Sequence, residues 1–180
     1  MSRAEEYAKY EYAYGCNSYR MGEARAAAIR KYLASLEPKT SLLDVGTGRG
    51  ETLTIAEGRG FHEVTGTEVV QALIDGSRVV RAEGHELPFA DDSFGWVTMF
   101  DVMEHLIPGD DELVVRELCR VAKHGAVVTI ADFPSVKDGR VLHINLRSYD
   151  EWDALLRSWC RRVEWLPNHG SISEGWKIGN

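Results

Sequence analysis

Leu42-Leu43-Asp44-Val45-Gly46-Thr47-Gly48-Arg49-Gly50 reads as a short buried strand, a glycine-rich turn and the opening of a helix. Glycine alone tolerates positive φ and leaves a backbone bare enough for close approach. A turn of this kind presents unpaired N–H groups at the helix entrance, where a ligand can accept from them. Asp44, two residues before the first glycine, adds a negative charge to the same rim. That charge repels a phosphate and attracts an ammonium. The loop therefore points to a nucleoside-bearing ligand whose other end is an amino acid.

Working outward, residues 22–36 carry Ala26, Ile29, Leu33 and Leu36 at helical spacing, and Pro38 ends that element. Ser41–Val45 is the first strand, and Glu51–Glu57 a helix closed by Gly58 and Gly60. His62–Thr67 and Val79–Arg81 read as strands, with a short helix at Val70–Asp75 between them. Trp96–Phe100 is a continuous apolar run, as a centre strand covered on both faces requires. The spacing predicts an amphipathic helix over Asp111–Lys123, with His124 at its end and Gly125 as its stop, then a strand at Ala126–Ala131. A long connection spans 132–147. Ser148 and Glu151 form a capping box for a helix running to about Arg161. Val163–Leu166 and Trp176–Ile178 complete the chain as an antiparallel hairpin. Strands alternating with helices call for an α/β, Rossmann-like fold: a seven-stranded, mostly parallel sheet with helices on both faces.

Composition narrows the partners. The 180 residues are long enough for one domain with a real core, and the net charge of −7 argues against an electrostatic grip on nucleic acid. The cysteines Cys16, Cys119 and Cys160 are odd in number and form no CxxC, so neither a disulfide framework nor a zinc site is expected. A reducing, cytoplasmic setting fits that usage. Met1 to Tyr14 is charged and tyrosine-rich, unlike a signal peptide, and no run approaches the ~18 apolar residues of a membrane span.

Glu68 ends the second strand, 20 residues beyond Gly48. In a doubly wound sheet that position faces the crevice and suits the two hydroxyls of a ribose. A glycine turn plus this acid does not choose between a dinucleotide and S-adenosylmethionine. The spacing Gly46-x-Gly48-x-Gly50 departs from GxGxxG, with Glu51 where a third dinucleotide glycine would stand.

A third block makes the choice. Glu83-Gly84-His85-Glu86-Leu87-Pro88-Phe89-Ala90-Asp91-Asp92-Ser93-Phe94, then the strand Trp96–Phe100 and Asp101-Val102-Met103-Glu104-His105-Leu106, resembles class I S-adenosylmethionine-dependent methyltransferases. Within these it is most similar to the small-molecule group that includes ubiquinone-biosynthesis O-methyltransferases. The resemblance covers Leu42 to Leu166. It implies a methyltransferase domain over 1–180: a helical lid at 1–36, a cofactor-binding core at 41–131, and a substrate-side loop, last helix and hairpin at 132–180.

The resemblance also implies residue roles. Asp44, Gly46, Thr47 and Gly48 line the methionine and ribose of S-adenosylmethionine and of its product S-adenosylhomocysteine. Glu68, with Val69 beside it, takes the ribose hydroxyls. Glu83 contacts the adenine amino group, although the family usually has Asp there, with Gly84 and His85 offering backbone at the ring. Asp101 and Val102 lie beside the methionine. Tyr12, Tyr14, Tyr19 and Arg20 resemble the segment that lids the cofactor, Tyr19 and Arg20 on the cofactor and Tyr14 toward the substrate. His143, on the loop after the fifth strand, matches the family more loosely.

Methyl transfer from a sulfonium needs alignment and exclusion of water above all. An oxygen acceptor also benefits from a base, and histidine's pKa of ~6.5 suits it. His143 and His105 are the candidates, His143 first. Arg140 and Arg147 flank His143 and could receive an anionic substrate group. The place of an Asn/Asp-Pro-Pro-Tyr/Phe turn reads Asp101-Val102-Met103-Glu104, and no Pro-Cys occurs, which argues against DNA amino- and cytosine-methylating subclasses. Asp101 and Asp132 stand near the acids of the catechol-type metal site, but the rest of that pattern is missing, so no metal is expected. The expectation is O-methylation of a small molecule by a monomer or homodimer. The competing readings are a non-catalytic cofactor-binding partner subunit and an NAD-dependent oxidoreductase.

Overall fold

The computed structural model describes residues 3–15, 20–171 and 173–180. In chain order the elements are α1 (Arg3–Gly15), α2 (Glu23–Ala34), β1 (Ser41–Val45), α3 (Glu51–Gly58), β2 (Glu63–Glu68), β3 (Val79–Arg81), β4 (Phe94–Phe100), α4 (Asp111–Val121), β5 (Ala122–Ile130), β6 (Val136–Lys137), β7 (Arg140–Val141), α5 (Tyr149–Trp159), β8 (Arg162–Leu166) and β9 (Glu174–Gly179). Single 3-10 turns occupy Gln71–Leu73 and Met103–His105.

Seven strands form one sheet in the order β3-β2-β1-β4-β5-β9-β8. The first five are mutually parallel, and β9 runs antiparallel to both β5 and β8. The order in which strands are added reverses between β1 and β4, so a crevice opens beyond their carboxyl ends, where ligands bind in sheets of this kind.

Neighbouring residues on a strand point to opposite faces, and both faces here are covered. Leu42, Trp96 and Phe100 pack with Ile29, Tyr32 and Leu33 of α2 and Ala56 of α3. Leu43, Val45, Val97 and Met99 pack on the other side with Val114 and Leu118 of α4 and Trp152 and Leu156 of α5. Burial on both faces is why β1 and β4 read as unbroken apolar runs. The capping box forms as the sequence predicts: Glu151 N–H donates to Ser148 Oγ at 3.3 Å, and Ser148 N–H to Glu151 Oε2 at 2.8 Å.

Several expected boundaries are corrected. The α4 helix stops at Val121 and β5 begins at Ala122, so His124 lies in a strand and Gly125 is not a helix stop. Gly125 has φ +140, beside a register shift between β4 and β5, and a Cβ there would come 2.7 Å from the carbonyl oxygen of Ile178. The glycine is required by close approach of β9, a tertiary cause invisible in local sequence. The Val70–Asp75 helix shrinks to the turn at Gln71–Leu73, α5 ends at Trp159 instead of Arg161, and the 132–147 connection contains the small β6–β7 hairpin. The tyrosine-rich start is a full helix, α1, which lies over the crevice. No helix among the described residues is long and apolar enough to cross a membrane.

Candidate active site

The crevice beyond β1 and β4 is a cavity whose floor comes from four strand ends and whose roof comes from α1. From β1 and its turn come Asp44, Gly46, Thr47 and Gly48. Glu68 and Val69 end β2, Gly84 and His85 follow β3, and Asp101, Val102 and His105 follow β4. Arg20 and Tyr14 line it from the N-terminal side. The structure thus brings together most of the residues singled out by sequence.

The turn is shaped by contact as well as by ligand access. Gly48 has φ +57, and a Cβ there would meet the Tyr14 hydroxyl at 2.6 Å. Its N–H donates to Glu68 Oε2 at 2.8 Å. Glu68 Oε1 accepts from the N–H groups of Val69 at 2.8 Å and Val70 at 3.2 Å. Three backbone donors hold this buried carboxylate in one orientation, while burial raises its pKa. Asp44 is 2% exposed and accepts from Thr98 Oγ1 at 2.7 Å. Burial pushes its pKa up to about 6, against the pull of that hydrogen bond. Asp101, at φ +53, pairs with Arg25 across 3.0 Å and accepts from Thr129 Oγ1 at 2.6 Å.

The roof is tied down along its length. Arg3 makes a two-pronged pair with Asp110, with contacts between 2.9 and 3.2 Å. Tyr7 donates to Glu83 at 2.8 Å, and Glu11 accepts from the N–H of Gln71 at 2.7 Å. Lys9 donates to the carbonyl of Val141 at 3.1 Å, and Arg49 to that of Tyr14 at 2.9 Å. Loops from β1, β2, β3, β4 and the β6–β7 hairpin therefore all grip one helix. Glu6, Tyr7, Tyr10 and Tyr14 of α1 face the cavity, and of these only Tyr14 was singled out by sequence. The helical spacing of Tyr7, Tyr10 and Tyr14 was the available signal. Arg25 was also missed.

His105 lines the cavity, and its Nδ1 lies 3.0 Å from the carbonyl oxygen of Leu142 and 2.9 Å from the Tyr10 hydroxyl. Burial lowers its pKa to about 4, so the imidazole is neutral near pH 7. His143 stands behind it, edge to face at 4.7 Å between ring centres, with Nδ1 2.6 Å from the carbonyl oxygen of Phe133. Glu104 lies within 4.8 Å of both, fully buried, its carboxyl pKa raised well above the ordinary value by burial and by Asp101. Sequence reasoning passed over Glu104, although an acid directly beside His105 at a strand end was there to read.

Other singled-out residues lie elsewhere. Glu83 does not line the cavity; its carboxylate faces Tyr7, with Arg3 at 3.6 Å and His85 Nδ1 at 3.5 Å. Arg140 stacks on the Tyr12 ring at 3.9 Å. Arg147 pairs with the buried Asp111 at 2.5 Å and lies over Trp152 at 4.6 Å. Neither arginine reaches the cavity. Tyr19 lies outside the described residues.

A doubly wound sheet with a glycine turn and an acid at the next strand end defines a nucleoside-binding α/β protein. Residues 43–130 match the family model described as a methyltransferase domain. Streptomyces venezuelae DesVI matches all of this chain and 99% of its own, at 16% identity and a TM-score of 0.70. Burkholderia thailandensis 1,6-didemethyltoxoflavin-N1-methyltransferase, solved with its substrate and S-adenosylhomocysteine, matches all of this chain and 92% of its own, at 20% identity and a TM-score of 0.65. A SAM-dependent methyltransferase from Aquifex aeolicus is 21% identical over 83% of this chain and 88% of its own, with a TM-score of 0.61. No curated relative matches by sequence. Residues 43–130 are thus similar to a methyltransferase domain, and the whole chain shares its fold with these solved structures.

Proposed function

We propose that the chain methylates an oxygen of a small molecule bound between α1 and the His105 end of the cavity. The observation that carries this reading is His105 itself. A carbonyl oxygen only accepts, so the contact with Leu142 places the ring proton on Nδ1 and leaves a lone pair on Nε2. Next to a cavity roofed by a helix, that arrangement suits control of a hydroxyl proton.

The residues present fit the cofactor. Asp44 is an acid whose charge is held back by burial, so a cationic ammonium relieves it. Glu68, fixed by three N–H donors, keeps one lone pair, on Oε2, for a ribose hydroxyl. The backbone of Gly84 and His85 serves the adenine; Glu83, engaged by Tyr7, acts on it through the lid. When bound, the sulfonium supplies an electrophilic methyl group for in-line displacement. The chain's own contribution is alignment and exclusion of water, which α1 provides by closing over the cavity. The acidic net charge favours a small acceptor over a polyanion. Arg140 and Arg147, engaged with Tyr12 and Asp111, are held away from an acceptor anion. A reducing, cytoplasmic setting follows from an odd cysteine count without a CxxC, and the chain works as a monomer or homodimer.

The test is transfer of labelled methyl from S-adenosylmethionine to a panel of hydroxyl, carboxyl and amine compounds. Label in ethers or esters supports the reading. Label confined to amines or to macromolecules overturns it. Retained S-adenosylhomocysteine binding with no transfer to any acceptor would favour a non-catalytic partner subunit.

A further inference from the structure

We propose that Glu104, His105 and His143 form a binding site for a first-row divalent transition-metal ion at the acceptor end of the cavity. The proposal rests on the methyltransferase reading for its function but not for its test. One potential ligand atom from each residue lies within 4.8 Å of the others. The cluster offers two imidazole lone pairs and one carboxyl group. His105 uses Nδ1 on the carbonyl of Leu142 and His143 uses Nδ1 on the carbonyl of Phe133, so each ring has its lone pair on Nε2. Both oxygens of Glu104 are buried without a hydrogen-bond partner among the described residues. Two imidazole nitrogens and a carboxyl group buried together call for a shared proton or a cation between them, and a metal ion would take the place of that proton.

The surroundings support ligation over chance proximity. A metal-binding histidine almost always spends its other nitrogen on a carbonyl or carboxylate, which fixes ring orientation; both rings here do so. The main chain is fixed as well, since the carbonyl of Glu104 accepts from the N–H groups of Ile144 and Asn145, each at 3.0 Å. That pair of bonds joins the loop after β4 to the loop carrying His143. Ligand atoms at about 2.1 Å around a tetrahedral ion stand roughly 3.4 Å apart, so entry of the ion draws the three side chains slightly inward. Two imidazoles and one carboxylate suit zinc, manganese, iron or cobalt, whereas calcium and magnesium prefer oxygen alone.

Three protein ligands leave a position open, and His105 places it on the cavity. An acceptor hydroxyl there would lose its proton to water more readily. Its oxygen lone pair would form the new C–O bond as the C–S bond breaks, with that electron pair staying on sulfur. Both histidines thus become ligands that polarise the acceptor, in place of bases that deprotonate it.

The experiment uses the full chain, stripped with a chelator and dialysed against Co2+, Zn2+ or Mn2+, with S-adenosylhomocysteine stabilisation measured in parallel. The expected result is a single Co2+ per chain with visible d–d bands, displaced by Zn2+. Glu104→Gln and His143→Gln should each weaken binding by at least ~10-fold while keeping the stabilisation by S-adenosylhomocysteine. Failure of the stabilised wild type to take up any of the three ions overturns the site, whatever the variants do. So does undiminished affinity in both variants. Loss of S-adenosylhomocysteine binding in the wild type would instead sink the methyltransferase reading, and the metal result would stand apart from it.

Discussion

The Tyr7 hydroxyl donates to Glu83 across 2.8 Å, joining the helix that roofs the cavity to the loop that follows β3. Hydrogen bonds to a charged acceptor contribute about 1.5–3 kcal/mol. Tyr7→Phe removes this one without emptying the space the ring fills. S-adenosylhomocysteine should then bind up to about tenfold more weakly, since ~1.4 kcal/mol is a factor of ten, with faster release and little change in Tm of the ligand-free chain. Calorimetric titration and stopped-flow release measure both.

Gly48→Ala should cost more. Its φ of +57 strains any other residue, and the new methyl would stand 2.6 Å from the Tyr14 hydroxyl. Positive φ alone costs of order 1–3 kcal/mol. Pairing it with Tyr14→Phe should recover the part due to crowding and leave the part due to backbone. Thermal unfolding of the two single variants and the double variant separates the two.

Placed at the cofactor's ammonium as proposed, Asp44 should make S-adenosylhomocysteine affinity depend on pH. Its folded-state pKa of about 6 lies above the ordinary value of 3.8. Between those values the folded chain holds a proton that the unfolded chain has released. The stability this proton contributes is complete below the lower value and lost as pH rises through the upper one. A ligand bearing an ammonium prefers the ionised acid, so affinity should run the other way, rising about tenfold from about pH 5 to about pH 7.5. Binding should release protons near pH 6, and Asp44→Asn should be weak and flat across that range. Titrations in buffers of different ionisation enthalpy count the protons.

Arg147→Ala separates a structural arginine from a substrate-binding one. Its partner Asp111 has a side chain only 4% exposed, so truncation leaves a buried charge short of its main counter-ion. Stability should fall by about 1–3 kcal/mol, and activity on anionic and neutral acceptors should fall in equal proportion. A selective rise in KM for anionic acceptors alone would contradict the placement.

What the sequence revealed was mostly local. Strand β1, its glycine turn and Glu68 follow from apolar runs, bare turns and a strand-end acid, each a property of neighbouring residues. The Ser148–Glu151 cap was legible for the same reason. Residues fixed by distant partners were not. Gly125 looks like a helix stop until the carbonyl of Ile178 is seen against it. Arg147 looks available until Asp111, at the start of α4, takes it. Glu104 was hidden by its neighbour: a histidine draws attention as a base, while an acid beside it reads as solvated surface until its burial is known.

The roofing helix is anchored by loops that belong to five different places in the fold, so no single loop can swing it aside. Exchange of the spent nucleoside must therefore break several separate fastenings at once. On the methyltransferase reading, release of that nucleoside should be slow and should quicken as individual fastenings are removed, as stopped-flow release would show.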